Sequence, residues 1–251
     1  MAAPTVRVRI GFTPDTFTLD DLVRGVLDSG KLGGATTLTD VTSDVQSVTI
    51  NRGRSRDLDS FITGSCSVQL LNNARKYENT NTSSPYYPGI EPMIEIHVDA
   101  TTDGGSTYED LFVGFVTDIN LTYPDANNSF ANFQASDAFM KIANTELINA
   151  SFSSTDSGTL INNILDNANV KFGSNRNIET GVSNMQSLSS LSANTLGVLQ
   201  TVEQSENGLL FIAKDGKITF KSRHTTFPST PSATFSDDGA DIPYLKVDYI
   251  N

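Results

Sequence analysis

Ile50-Asn51-Arg52-Gly53-Arg54-Ser55-Arg56-Asp57-Leu58-Asp59-Ser60-Phe61 leads into Gly64-Ser65-Cys66-Ser67-Val68-Gln69-Leu70-Leu71. The first part reads as a strand followed by an arginine-rich loop. The second alternates, with Cys66, Val68 and Leu70 on one face, as a half-buried strand does. Working outward, Val6 to Ile10, Val45 to Ile50, Met93 to Val98, Asp110 to Asn120 and Asn132 to Ala135 also read as strands. In Met93 to Val98, Ile94, Ile96 and Val98 are expected inward, and Glu95, His97 and the following Asp99 outward. Asp103-Gly104-Gly105-Ser106 and Tyr123 to Asn128 supply turns between them. Short strands at this spacing predict a β-barrel or sandwich over residues 1–140. Thr13 to Asp40 fits either a weak helix around Leu19 to Leu27 or a long loop, because glycines interrupt it.

After residue 140 the periodicity changes, and residues 141–235 read as a second, α/β domain. Asp137 to Ile148 has helical spacing through Phe139, Ile142, Ala143 and Leu147. Thr159 to Ala168 is a clearer helix with Asp156 or Ser157 as its N-cap. Lys171 to Ser190 is polar and irregular. Asn194 caps a third helix, which runs into Gly208 to Ala213, a Lys214-Asp215-Gly216-Lys217 turn and Ile218 to Ser222. Asp-Gly between two apolar strands is a hairpin signal. Residues 236–251 begin a further strand, Ile242 to Ile250, or a second domain like the first. The fold class is therefore α+β and β-rich.

With 17 Lys and Arg against 29 Asp and Glu, the chain carries a net charge of −12. A field of that sign repels phosphate and argues against nucleic-acid binding. One cysteine, Cys66, excludes an intrachain disulfide, and its place in an alternating strand predicts core packing. The N-terminus shows no secretory h-region, and no run of about 18 apolar residues is long enough to span a membrane.

Chemistry-bearing patterns are sparse. The two histidines, His97 and His224, lack partners at metal-ligand spacing and read as solvated side chains. No nucleophile-elbow, zinc-protease or phosphate-loop motif occurs in a suitable context. The expectation is a protein that is not an enzyme, with no cofactor and no metal. In a chain without tryptophan, the adjacent Tyr86-Tyr87 is the candidate aromatic platform for a sugar. The Asp125 to Asn128 turn lacks the ligand spacing of a calcium loop and reads as an Asx-rich turn.

The arginine segment is followed by Leu71-Asn72-Asn73 and by Asn81-Thr82-Ser83-Ser84-Pro85-Tyr86-Tyr87-Pro88-Gly89. Leu111-Phe112-Val113-Gly114-Phe115-Val116-Thr117-Asp118 and Ala135-Ser136-Asp137-Ala138-Phe139 come next in the same order. This series resembles the minor tail proteins, or tail hub proteins, of long-tailed bacteriophages. Thr195 to Phe220 is similar to the helix-plus-hairpin insert of the same family. The resemblance implies a tail-tube-like β-barrel followed by an α/β insert. It implies a structural virion protein of the tail tip, assembled in the host cytoplasm. Its subunits would form a homo-oligomeric hub ring, a trimer or else a hexamer, that continues and closes the tube. Distal tail protein and tape measure protein would be its neighbours, with DNA passing through the lumen. Arg52, Arg54, Arg56, Tyr86 and Tyr87 are then interface candidates, since arginine forks pair with carboxylates across interfaces. Glu95 and Asp99 are candidates for an acidic lumen wall. The alternative is a distal-tail or adhesion module that binds receptor-binding proteins or host surface glycans.

Overall fold

The computed structural model describes residues 4–13, 37–54, 60–124, 128–225, 235–236 and 242–243. The first unit comprises β1 (Thr5–Thr13), β2 (Thr37–Asp40), β3 (Val45–Gly53), β4 (Ile62–Leu71), β5 (Glu95–Thr101), β6 (Glu109–Thr122) and β7 (Phe130–Ser136). They form one sheet in the order β2-β1-β5-β6-β7-β4-β3, antiparallel throughout. With seven alternating strands, β2 and β3 lie at opposite edges yet run in the same direction. The turn between them spans Val41 to Asp44. Laid flat, seven strands would put those edges about 29 Å apart, whereas Asp40 to Val45 reaches at most about 18 Å. The sheet must therefore roll until its edges approach. No ladder joins β2 to β3 among the described residues, so the expected barrel is an open, rolled sheet by hydrogen bonding. Residues 37–53 form one run that leaves β1 and joins β4 through the bend. The Val41 N–H, bonded to the Val8 carbonyl at 2.9 Å, marks the point of departure.

The strand alternation decides what the roll encloses. Val8, Ile10, Phe12, Cys66, Val68, Leu70, Ile96, Val98, Phe112, Val116, Ala131, Phe133 and Ala135 form a single buried cluster. Each large side chain there stabilises the fold by roughly 1.5–3 kcal/mol. Cys66 is buried in this cluster, and burial pushes its thiol up to about 12, so it stays protonated.

The second unit follows as α1 (Phe139–Ala143), β8 (Glu146–Phe152), β9 (Thr155–Asp156), α2 (Ser157–Asp166), β10 (Arg176–Ile178), β11 (Asn184–Met185), β12 (Leu188–Asn194), α3 (Thr195–Glu206), β13 (Leu209–Ile212) and β14 (Ile218–Lys221). The helix expected over Asp137 to Ile148 ends at Ala143. Asn144 closes it, the Thr145 hydroxyl donates to the Ile142 carbonyl at 2.8 Å, and the chain turns into β8. β8 pairs with β12 as a two-stranded ribbon. Within the stretch read as irregular, β10 runs parallel to β14 in the sheet β10-β14-β13. The two capped helices appear as expected. Asp156 Oδ1 accepts from the Thr159 N–H at 2.8 Å and Asn194 Oδ1 from the Gly197 N–H at 3.1 Å. A second buried cluster contains Phe139, Ile142, Leu147, Leu160, Ile161, Ile164, Leu165, Leu199, Val202, Leu210, Ile218 and Phe220. The two clusters divide between Ala135 and Ala138. Beyond them, Phe235–Ser236 and Ile242–Pro243 pair in parallel; the rest of the strand expected to Ile250 lies outside the described residues.

Candidate interface surfaces

The arginine segment sits where the two units meet. Arg52 Nη1 donates to the Leu111 carbonyl at 2.8 Å. The same arginine acts on Asp137, whose Oδ2 accepts from the Gly64 N–H at 2.7 Å and Oδ1 from the Phe139 N–H at 3.0 Å. Asp137 is only 5% exposed, and burial pushes its carboxyl up to about 6. The guanidinium of Arg54 lies 5.2 Å from the Phe61 ring, which in turn contacts Phe211 of β13 at 5.1 Å. Arg54 also acts on buried Glu203, whose Oε1 accepts from the Leu210 N–H at 2.9 Å. Arg52 and Arg54 are thus engaged inside the chain, each close to a buried carboxylate at the root of the second unit. Arg56 lies outside the described residues.

The aromatic loop divides its two tyrosines. Tyr86 stacks on Phe12 at 4.3 Å and on Tyr77 at 5.4 Å, packed against the first core. Gly89 allows this close return, since a Cβ there would fall 1.3 Å from the Phe12 carbonyl oxygen. Tyr87 is 47% exposed. A two-ring surface platform is therefore not formed, because core packing takes Tyr86.

Asp99 corrects an expectation about exposure. It leaves the sheet on the face opposite Val98, as alternation requires, yet it is 1% exposed. Arg7 Nε and Arg9 Nη2 of the neighbouring strand donate to it at 2.8 and 2.6 Å, and Arg7 also lies 3.6 Å over the Tyr108 ring. Burial pushes the Asp99 carboxyl up, but the two arginines outweigh it and hold it below the usual carboxylate range. In this chain Asp99 therefore presents no free charge to solvent. Glu95 is half-buried; its carboxyl is held low by His97, whose Nε2 lies 3.4 Å away. His97, expected to be solvated, is partly covered for the same reason. The Asp125 to Asn128 turn is described only at Asn128.

A cleft of about 240 Å³ opens between the units. Val113, Phe115, Ile142 and Phe172 contribute its apolar lining, and Glu95, Lys141 and Lys171 its charges. Its lysines escaped the sequence reading because they stand 30 residues apart, Lys141 in a stretch of helical spacing and Lys171 in one read as irregular, with no motif joining them. Among the described residues, no group of three His, Cys, Asp or Glu side chains is placed to hold a metal ion, and no helix is long and apolar enough to cross a membrane.

Set beside solved structures, the fold has a counterpart. The 43 kDa tail protein of prophage MuSo2 from Shewanella oneidensis matches 94% of this chain with a TM-score of 0.56 and 12% identity. The chain has the fold of a phage tail protein. It spans 58% of that tail protein's length. A tail protein from Neisseria meningitidis MC58 matches 86% of the chain and is covered over 50% of its own length, with a TM-score of 0.48 and 6% identity. The Escherichia coli protein c3393, a component of the type VI secretion system, matches 73% and is covered over 51%, with a TM-score of 0.43 and 10% identity. No protein-family model and no curated protein sequence matches.

Proposed function

We propose that this chain is a structural subunit of a bacteriophage tail, and within the tail a hub subunit whose copies form a ring that continues and closes the tube. The observation that carries the reading is the fold itself, a rolled seven-stranded sheet followed by a helix-and-hairpin unit, in a chain that matches a solved phage tail protein over 94% of its length with a TM-score of 0.56. Among the described residues β2 and β3 each have one edge without a ladder partner, which fits an assembling protein. β3 has nine residues with neither Lys nor Pro, and its charge and register shifts fall near its ends, at Arg52 and at Val45/Ser47 and Asn51/Gly53, so its middle is the part open to pairing with another chain. Closing a ring would remove such an edge.

In this reading three copies surround a lumen through which DNA passes, with distal tail and tape measure proteins as neighbours. Glu95, partly open to solvent, is the remaining acidic lumen candidate. The protein is a virion component and does no catalysis. Antibody labelling of intact virions tests the role: gold at the tail tip supports it, and gold along the whole shaft or on the capsid overturns it. Light scattering of the purified assembly tests the ring order. A trimer supports the hub, whereas a hexamer moves the chain to the distal-tail position.

A further inference from the structure

We infer that the cleft between the two units is a self-docking surface that receives an acidic segment of a second copy of this chain. The inference rests on the reading that copies of the chain assemble with one another. Val113, Phe115, Ile142 and Phe172 give the cleft an apolar floor, and Lys141 and Lys171 stand at its rim.

The lysines are the informative part. Lys76, Lys214 and Lys217 each hold a carboxylate, from Asp44, Glu109 and Asp215. Neither Lys141 nor Lys171 has a carboxylate within ion-pair distance among the described residues. The Lys141 ammonium rests instead 3.2 Å over the Phe115 ring. Burial pushes its pKa down, and Glu95 opposes this from farther away. The cleft's own acid is already beside His97.

The chain as a whole has the opposite excess, 29 acidic against 17 basic side chains. Copies of one sign repel, so a contact between them is favoured where unpaired cations meet surplus carboxylates. Two ammonium groups at the mouth of an apolar cleft provide such a place. A carboxylate entering it would meet a cation already partly stripped of water by the ring, where attraction is stronger than at an open surface. The 240 Å³ of space also admits an apolar side chain next to that carboxylate.

Sedimentation velocity of the purified full chain, over a concentration series at low salt, tests this. A parallel sample mixes light and heavy-isotope protein and is joined by a zero-length carbodiimide. The wild-type chain is expected to self-associate, and added salt to weaken it. Cross-links should run from Lys141 or Lys171 to a carboxylate of the other isotope. The double variant Lys141→Glu, Lys171→Glu should weaken association by about tenfold or more. An unaltered thermal melt shows that the variant is folded; if it is not, Lys171→Gln and the wild-type cross-links decide. Association unchanged in the variant, cross-links that avoid both lysines, or a wild-type chain that stays monomeric at every concentration each overturn the inference. A monomeric chain that still labels the virion tail tip would sink the self-docking contact alone and leave the proposed function standing.

Discussion

In the first core the inner strands hand their backbone groups to neighbours on both sides, whereas the second core is built from sheets two or three strands wide. Short elements leave N–H groups that no strand reaches, and in the second unit carboxylates take them. Glu206 accepts from the Val182 N–H at 3.2 Å, the Ser183 N–H at 2.7 Å and the Ser157 hydroxyl at 3.0 Å. Asp156, Glu179 and Glu203 do similar work for Thr159, Ser222 and Leu210. The first unit depends on buried hydrocarbon within long ladders; the second adds carboxylate side chains that stand in for missing backbone partners. Buried backbone groups must be satisfied by something.

The largest test of that contrast is Phe133→Ala. Phe133 is fully buried and makes edge contacts with Phe12 and Tyr77. Truncation should cost about 3–5 kcal/mol, read as a lowered denaturant midpoint. If the units unfold separately, the loss will appear in only one of two transitions. Glu206→Ala comes next and strikes the other unit. Removing one carboxylate strands three donors, the buried Ser157 hydroxyl and the partly buried N–H groups of Val182 and Ser183, which should cost roughly 1–3 kcal/mol. Glu206→Gln should recover part of that in the same melt. A Glu206→Ala protein as stable as the wild type would break the comparison.

This contrast also explains what the sequence disclosed. The strands of the first unit were legible because period two places Cys66, Val68 and Leu70, or Ile96 and Val98, on one buried face. The helix caps Asp156 and Asn194 were legible because capping is local. β8 was hidden because Phe139, Ile142 and Leu147 fit a helical spacing, although Leu147 reaches the second core from a strand after the helix has stopped. β10 was hidden because its partner β14 lies some 40 residues away and only tertiary packing selects it. The roll of the sheet is forced by a short link between its edges, and that follows from strand order, which no local pattern contains. As for surfaces, arginines in a loop announce carboxylate partners without saying whose. Asp137 and Glu203 are their neighbours here, and nothing in the spacing pointed to either.

The two classes of carboxylate should also separate by pH. Asp137 is pushed up to about 6 from an ordinary value of 3.8, so between those values the folded chain keeps a proton that the unfolded chain releases. Stability from this group is greatest at low pH and falls as pH rises through that window, by at most about 3 kcal/mol. For Glu206 burial also raises the carboxyl, but its three donors outweigh burial and hold it below its ordinary value. Its contribution is therefore present above the ordinary carboxylate range and is lost as pH falls through the lowered value. Unfolding midpoints of Asp137→Asn and Glu206→Gln across that range should show slopes altered in opposite senses. Slopes that change in the same sense would mean that the two sites do not differ in kind.

The smallest effect belongs to an ion pair that bridges the units. Lys214 Nζ lies 2.5 Å from Glu109 Oε2, joining the β13–β14 turn to the start of β6, with both side chains more than half exposed. Water screens such a pair, and holding two long side chains in one geometry costs entropy. The neighbouring contact is different in kind. Gly216, in the left-handed region at φ +78°, would place a Cβ 2.8 Å from Val113 Cγ1. There, beside the cleft, Gly216 meets Val113 hydrocarbon on a backbone that favours glycine. Lys214→Met should thus leave the melting midpoint unchanged within error, while Gly216→Ala should lower it visibly. The reverse ranking would show that the units are held by exposed charge, and the contrast between a hydrocarbon-built first core and a carboxylate-stitched second one would then have to extend to the joint between them.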